Sequence, residues 1–361
     1  MWPRTDLIDR LEIEHPLLQA PMGGESTPEM AIAVGNAGGL GGLGCSYMSN
    51  DQLSNKVAQI RRGTSAPFNL NFFVHPPPEE NPEIYAHTRE RVAPFYAELG
   101  IDEFPQSLES PCDTFTQSRL ECLLDLRPRV VSFHFGLPDI AMVRALQDAD
   151  CLVISSATTV AEACWLDAAG IDAIIAQGWE AGGHRGTFHI SHADFGIGSL
   201  ALIPQVVDAV DLPVIAAGGI SDGRGIAAAL VLGASAVQLG SAFLSCPEAN
   251  INDAYRQALQ KTSDDATRLT NAFSGRPARA MNNRYIESMA RSRAPLPDYP
   301  TMYSFSDPLR LAGERSAEAD FEFYLWGQAA ALNRECSSAD LVQLLIKEAQ
   351  DALHSAAGTK A

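Results

Sequence analysis

Residues 214–241, VIAAGGISDGRGIAAALVLGASAVQLGS, decide the reading of the fold. Val214–Ala217 is a short, continuously apolar run, and Gly218-Gly219-Ile220 breaks it. Gly223–Leu232 then has a helical pattern, and Ala236–Leu239 is a second apolar run ended by Gly240-Ser241. Strands apolar on both faces are strands covered by helices, so this stretch reads as a parallel strand–helix–strand unit. The same rhythm runs upstream, with candidate strands at Leu17–Pro21, Gly39–Leu43, Phe68–Val74, Val130–Phe135, Leu152–Ser155 and Ala173–Ala176. Helical patterns at Pro28–Asn36, Asp51–Arg61, Asp139–Gln147, Val160–Ala168 and Leu200–Val210 lie between them. Eight strands separated mainly by helices predict an α/β fold, a (β/α)₈ TIM barrel.

The rhythm breaks twice. Around residues 75–129 the chain inserts about two helical patterns and the segment His75-Pro76-Pro77-Pro78. After Leu244 the strand signals stop, and helical patterns recur around Ala319–Asn333 and Asp340–His354. The expected organisation is a ligand-binding barrel over residues 1–244 and a smaller, mainly helical C-terminal domain or lid over 245–361.

Composition narrows the class. The first residues, MWPRTDLIDRL, are charged where a leader needs an apolar run, and the most apolar stretch, Ile226 to Ala236, is too short to span a bilayer. The expectation is a soluble, cytoplasmic protein. With 44 acidic against 26 basic residues the formal charge is −18, which disfavours nucleic acid and anionic membrane as partners. Cysteines 45, 112, 122, 151, 164, 246 and 336 are odd in number and scattered, without a C-x-x-C pair. That excludes a disulfide scaffold or zinc site, and no histidine spacing calls for a metal.

In a barrel of this kind the loops after the strands carry the chemistry. Three clusters fall there: Gly218-Gly219-Ile220, Gly240-Ser241, and Gly178-Trp179-Glu180-Ala181-Gly182-Gly183-His184. Glycines let the backbone approach a ligand, and the loops after the last two barrel strands are the usual phosphate site of the fold. The run Gly39-Leu40-Gly41-Gly42-Leu43-Gly44 has dinucleotide-fingerprint spacing, but its glycines fall inside a strand and no acid follows at the required distance. His134, in Ser132-Phe133-His134-Phe135-Gly136, stands at a strand exit as the best general base, or else as a packed structural histidine. His184 competes, although Arg185 and the glycines beside it suit ligand binding better; His189 and His192 read as loop or surface residues.

These residues resemble the nitronate monooxygenase family, in particular its bacterial class I members. The resemblance lies in Gln19-Ala20-Pro21-Met22, Phe68-Asn69-Leu70-Asn71-Phe72, the segment from Ser132 to Pro138, the run from Ser155 through Gln177 to Gly186, and Ala216–Ile220 with Gln238-Leu239-Gly240-Ser241. It implies noncovalent FMN, with Pro21 and Met22 beside the ring system and Asn69, Gln177 and Gln238 among the cofactor contacts. Gly182, Gly183, Gly218, Gly219, Gly240 and Ser241 would hold the phosphate. His134 would be the catalytic histidine, and Tyr299, Met302 and Tyr303 would approach the substrate together with it. The implied reaction oxidises an alkyl nitronate, propionate 3-nitronate above all, with O₂, giving a carbonyl compound and nitrite. Because a nitronate already carries its charge, His134 would act as a base only toward neutral nitroalkanes. Two other readings compete: a flavin-dependent NADH:quinone or enoyl reductase on the same barrel, and a flavin-free phosphate-sugar isomerase or lyase using Glu180 and His134 as an acid–base pair.

Overall fold

Val214–Ala217 and Ala236–Leu239 are strands over the residues that the sequence marks, with the helix Gly223–Val231 between them. Asp222 caps that helix, its carboxylate accepting from the Arg224 and Gly225 amides. The structure is a computed structural model describing residues 5–105, 108, 114–188, 196–316, 319–356 and 358. His189, His192 and Cys112 lie outside the described residues.

The strands are β1 (Leu17–Gln19), β2 (Gly41–Gly44), β3 (Phe68–Phe73), β4 (Val130–His134), β5 (Leu152–Ala157), β6 (Ala173–Gln177), β7 (Gly183–His184), β8 (Val214–Ala217), β9 (Ala236–Leu239), β10 (Thr267–Thr270) and β11 (Ala278–Met281). Eight of them pair in parallel in the order β1-β9-β8-β6-β5-β4-β3-β2. A parallel bridge between Leu18 and Leu40 joins the two ends, so the sheet closes into the expected TIM barrel.

Alternation along the strands sorts side chains into two cores. Ile154, Ala173, Ile175, Ile215, Ala217 and Ala236 fill the barrel interior, and Leu7, Ile8 and Leu11 of the helix Asp6–Leu11 join the same cluster. The intervening residues, among them Val153, Ile174, Ala176, Val214, Ala216 and Val237, pack outward against the helices. Counting onward by two from the inward residues gives Asn71, His134, Ser156, Gln177 and Gln238. The barrel is therefore apolar in its depth and polar at the carboxyl ends of its strands.

The C-terminal part departs from its sequence reading in two places. Strands do not stop at Leu244: β10 and β11 pair antiparallel, and β11 adds β7 from the barrel loops to make a three-stranded sheet. Short, polar strands such as Thr267-Arg268-Leu269-Thr270 leave no apolar run to detect. The expected helix around Ala319–Asn333 is instead two single 3₁₀ turns, Ala319–Phe321 and Ala330–Leu332, joined by an extended segment. Its backbone bonds elsewhere: Met281 N–H donates to Tyr324 O (2.8 Å), Leu325 N–H to the Tyr255 hydroxyl (2.8 Å) and Gly327 N–H to Ser241 Oγ (2.8 Å). The last helix, Ser338–Ala356, packs on the helices Gly223–Val231 and Pro28–Asn36 that follow β8 and β1. It thus occupies the place of the eighth barrel helix, and the cap is the chain between β9 and that helix.

Candidate active site

A cleft of about 460 Å³ opens where the polar strand ends meet the cap. Of the residues expected at a site, Pro21, Met22, His134, Gln177, Gly182, Gly183, Gly218, Gly219, Gln238, Gly240, Ser241 and Tyr303 line it. Asn69 does not; it sits one inward layer below Asn71, which does. Tyr299 lies directly behind the wall, its ring edge-on to His184 at 5.6 Å and to Phe135 at 5.5 Å. Met302 is fully buried in the cap core, away from the cleft. Residues not singled out from the sequence as site members, Asn71, Ser156, Glu25, Asp307 and Arg310, also line it. The first two were detectable by counting in twos from the apolar interior.

His134 and His184 form one hydrogen-bonded unit. His134 Nε2 lies 3.1 Å from the His184 carbonyl, which can only accept, so that nitrogen carries the hydrogen. Nδ1 then accepts from the Ser156 hydroxyl at 2.9 Å. Both ring nitrogens of the expected base are therefore engaged within the protein. His184 Nε2 is 2.9 Å from Ser274 Oγ, whose own hydrogen goes to the Arg276 carbonyl (3.0 Å), so His184 donates there. No protein group among the described residues bonds its Nδ1, which leaves one imidazole lone pair in the lining of the cleft. Gln177 braces the same loop, donating to His184 O (3.0 Å) and accepting from Gly186 N–H (2.7 Å).

Neither ring is easily charged. Burial pushes His134 down to about 4, helped by the cations of Arg276 and Arg185 and opposed by its bond to the His184 carbonyl and by Glu162. Burial pushes His184 down to about 3, with His134 and Arg276 acting in the same direction. The arginines are themselves spent on structure: Arg185 donates to the carbonyls of Gly178 (2.5 Å) and Gln177 (3.1 Å), and Arg276 lies over the Phe135 ring at 3.8 Å.

Glu180, the acid of the isomerase reading, is held away from proton transfer. Its carboxylate accepts from Ser199 N–H (3.0 Å) and Ser199 Oγ (2.8 Å) at the start of the helix Ser199–Ala209. Beside it, Gly218 (φ +95°) and Gly219 (φ +73°) bend the chain into the left-handed region, where side chains are disfavoured. A Cβ on Gly182 would run into the backbone of Trp326 and Gly327, so the cap closes directly on this glycine.

Fold and site together define a TIM-barrel enzyme whose cleft lies between its strand ends and its own cap. The nitronate monooxygenase family model matches residues 4–348. A nitronate monooxygenase of Pseudomonas aeruginosa is 44% identical over 348 residues, spanning 95% of this chain and 99% of that protein. One from Paraburkholderia phytofirmans is 41% identical over 350 residues, spanning 96% and 95%. Among solved structures, nitroalkane oxidase from Streptomyces ansochromogenes superposes with a TM-score of 0.89 at 38% identity, covering 98% of this chain and all of that one. FabK from Thermotoga maritima superposes with a TM-score of 0.73 at 27% identity, covering 99% and 100%. The chain belongs to the nitronate monooxygenase family. It is an enzyme that oxidises nitronates with O₂.

The family works with a flavin, and the residues present suit one. Gln238 Oε1 and Asn69 Oδ1 are buried acceptors with no partner among the described residues. Gly183, at φ +73°, has nothing within 4 Å of where a Cβ would stand, so its backbone borders open cleft. No helix of the described residues is long and apolar enough to cross a membrane, and no group of them has the makings of a metal site.

Proposed function

We propose that the enzyme binds one FMN and turns over alkyl nitronates rather than neutral nitroalkanes, with propionate 3-nitronate as substrate, and that it belongs to class I of the family. Pro21 and Met22 would flank the cofactor's ring system, and Asn71, Gln177 and Gln238 its polar edges. Asn69 stands a layer below them. Gly182, Gly183, Gly218, Gly219, Gly240 and Ser241 would take the phosphate. Bound there, FMN supplies the electron-transfer chemistry that links the nitronate to O₂. Residues 1–244 together with the last helix, Ser338–Ala356, serve as the cofactor-binding barrel, and the cap between β9 and that helix shields the reaction from water, with Tyr303 and its neighbour Tyr299 on the substrate side.

The observation that carries the preference is the neutral histidine pair. Taking the α-proton from a nitroalkane needs a base, and a base works best when its pKa lies near the working pH. His134 at about 4 has both nitrogens engaged, and His184 at about 3 offers its one lone pair from a weakly basic ring. A nitronate needs no proton removed. Its negative charge beside the two rings favours their charged forms, so its binding is helped by proton uptake. His134 acts here as a positioning residue that holds the Ser156 hydroxyl and the His184 backbone in place at the cleft.

The test pairs oxygen uptake with nitrite release. On propionate 3-nitronate, kcat/KM is expected to exceed that on 3-nitropropionate by roughly 10² or more. Equal values on the two would sink the preference. Denaturation should release FMN, and Gly219→Leu, which places a side chain at a positive φ, should lower flavin content.

A further inference from the structure

The cap helix Tyr303–Ser316 turns Tyr303, Asp307 and Arg310 toward the cleft, at spacings of four and three that keep them on one face. Arg310 is the one cationic side chain among the described lining residues. Of the lining carboxylates, Glu180 is committed to Ser199, which leaves Glu25 and Asp307 for this end. Asp307 accepts from Arg310 Nη1 at 2.8 Å. Yet Arg310 Nε is buried with no acceptor among the described residues. A guanidinium presents a planar fork of N–H groups, and this one has an arm with nothing to hold.

We propose that Arg310 is the specificity-determining residue that grips the carboxylate of a carboxylated alkyl nitronate, competing with Asp307 for the same guanidinium. The proposal rests on the nitronate reading above and names the substrate class that follows from it. A carboxylate is planar, bidentate and anionic, and it suits the guanidinium of a side chain that lines the cleft with 32% of its surface exposed. Among the described residues three carboxylates face Arg310: Asp307 from its own helix, Glu25 from the loop after β1, and Glu322 from the segment after the helix, where Tyr324 also feels the arginine's charge. Burial pushes Glu25 and Glu322 up to about 7, so proton uptake by these two relieves the repulsion that an entering carboxylate would meet.

The experiment compares propionate 3-nitronate with propyl-1-nitronate, which has the same three carbons without the carboxylate, on the flavin-loaded enzyme. Arg310→Met keeps an apolar stem of similar reach. It is expected to lower the ratio of the two kcat/KM values at least about tenfold, through KM of the carboxylated substrate. Asp307→Asn removes the competitor and should move the ratio the other way. An unchanged ratio in Arg310→Met, or a fall in Asp307→Asn, would overturn the assignment. Should the enzyme turn over neither nitronate, the functional reading itself fails. Calorimetric titration with 3-nitropropionate and 1-nitropropane then still decides the anchor: selective loss of the carboxylate-bearing ligand in Arg310→Met supports it, and equal affinities overturn it.

Discussion

At one end of the cleft His134, His184 and Ser156 are polar and uncharged; at the other, Glu25, Asp307 and Arg310 keep ionisable groups around a fixed positive charge. The histidine end comes mainly from barrel strands, whose inward rows continue upward from an apolar core. Burial there is met by neutral hydrogen bonds, each donor matched to an acceptor. The arginine end comes mainly from the cap and holds its charge by pairing with Asp307. The difference teaches which part of a ligand each end suits. Neutral rings with a spare lone pair would suit reacting atoms without fixing a charge, while the part-exposed guanidinium would suit the anionic tail proposed above.

The largest expected effect falls on the histidine end. His184→Ala removes the one lone pair left to take a proton, weak as it is, and should lower the residual kcat/KM on nitroalkanes by roughly 10² or more, with a smaller loss on preformed nitronates. Ethyl nitronate and nitroethane, assayed at matched flavin occupancy, give the comparison. His134→Asn should lower both activities together and keep their ratio within about threefold, because its nitrogens serve Ser156 and the His184 carbonyl. A selective loss of nitroalkane turnover in that variant would return the base role to His134.

A proton-linkage measurement separates the two ends by sign. Burial on folding pushes His184 from its ordinary 6.5 down to about 3, so across that window the unfolded chain binds the extra proton. Wild type should lose stability relative to His184→Asn as pH falls from 6.5 toward 3, and the gap should be constant above 6.5. Glu25 behaves oppositely: its folded value near 7 exceeds its ordinary 4.5, so wild type should lose stability relative to Glu25→Gln as pH rises through that range. Denaturant midpoints at several pH values check both; a pair of differences running in the same direction would erase the contrast drawn here.

The smallest effect concerns thiols. No cysteine lines either end among the described residues, and burial pushes Cys45 and Cys246 up to about 12 and Cys151 to about 11. Alkylation of the flavin-loaded enzyme should leave most of its activity. Rapid loss that substrate prevents would show a reactive thiol that the cleft geometry does not contain.

Much of this was legible because barrel strands are short, buried on both faces and followed by glycine. Val214–Ala217 and Ala236–Leu239 match their sequence bounds, and the glycines after them line the cleft as expected. The misses share a physical cause. β10 and β11 are only four residues long and β10 is mostly polar, while the segment after Phe321 bonds to partners far away in sequence: Tyr324 O accepts from Met281 N–H, and the Leu325 and Gly327 amides donate to the hydroxyls of Tyr255 and Ser241. Asn69 and Asn71 share a face of β3 and are chemically identical, so composition does not tell which layer meets the ligand.

By itself the sequence determined the barrel, the strand ends where its chemistry lies, and the glycine loops, because period, apolar runs and left-handed turns are local properties of the chain. Only the tertiary structure decided what the histidines do. The carbonyl of His184 takes the Nε2 hydrogen of His134, Ser274 takes that of His184, and burial presses both rings toward neutrality, helped by Arg276 at each and by Arg185 at His134. The same holds for Arg310, whose meaning comes from the acids gathered around it, Asp307 on its own helix, Glu322 after it and Glu25 from the barrel. Charge state and hydrogen-bond direction depend on neighbours brought together by folding, and no local pattern in the chain encodes them.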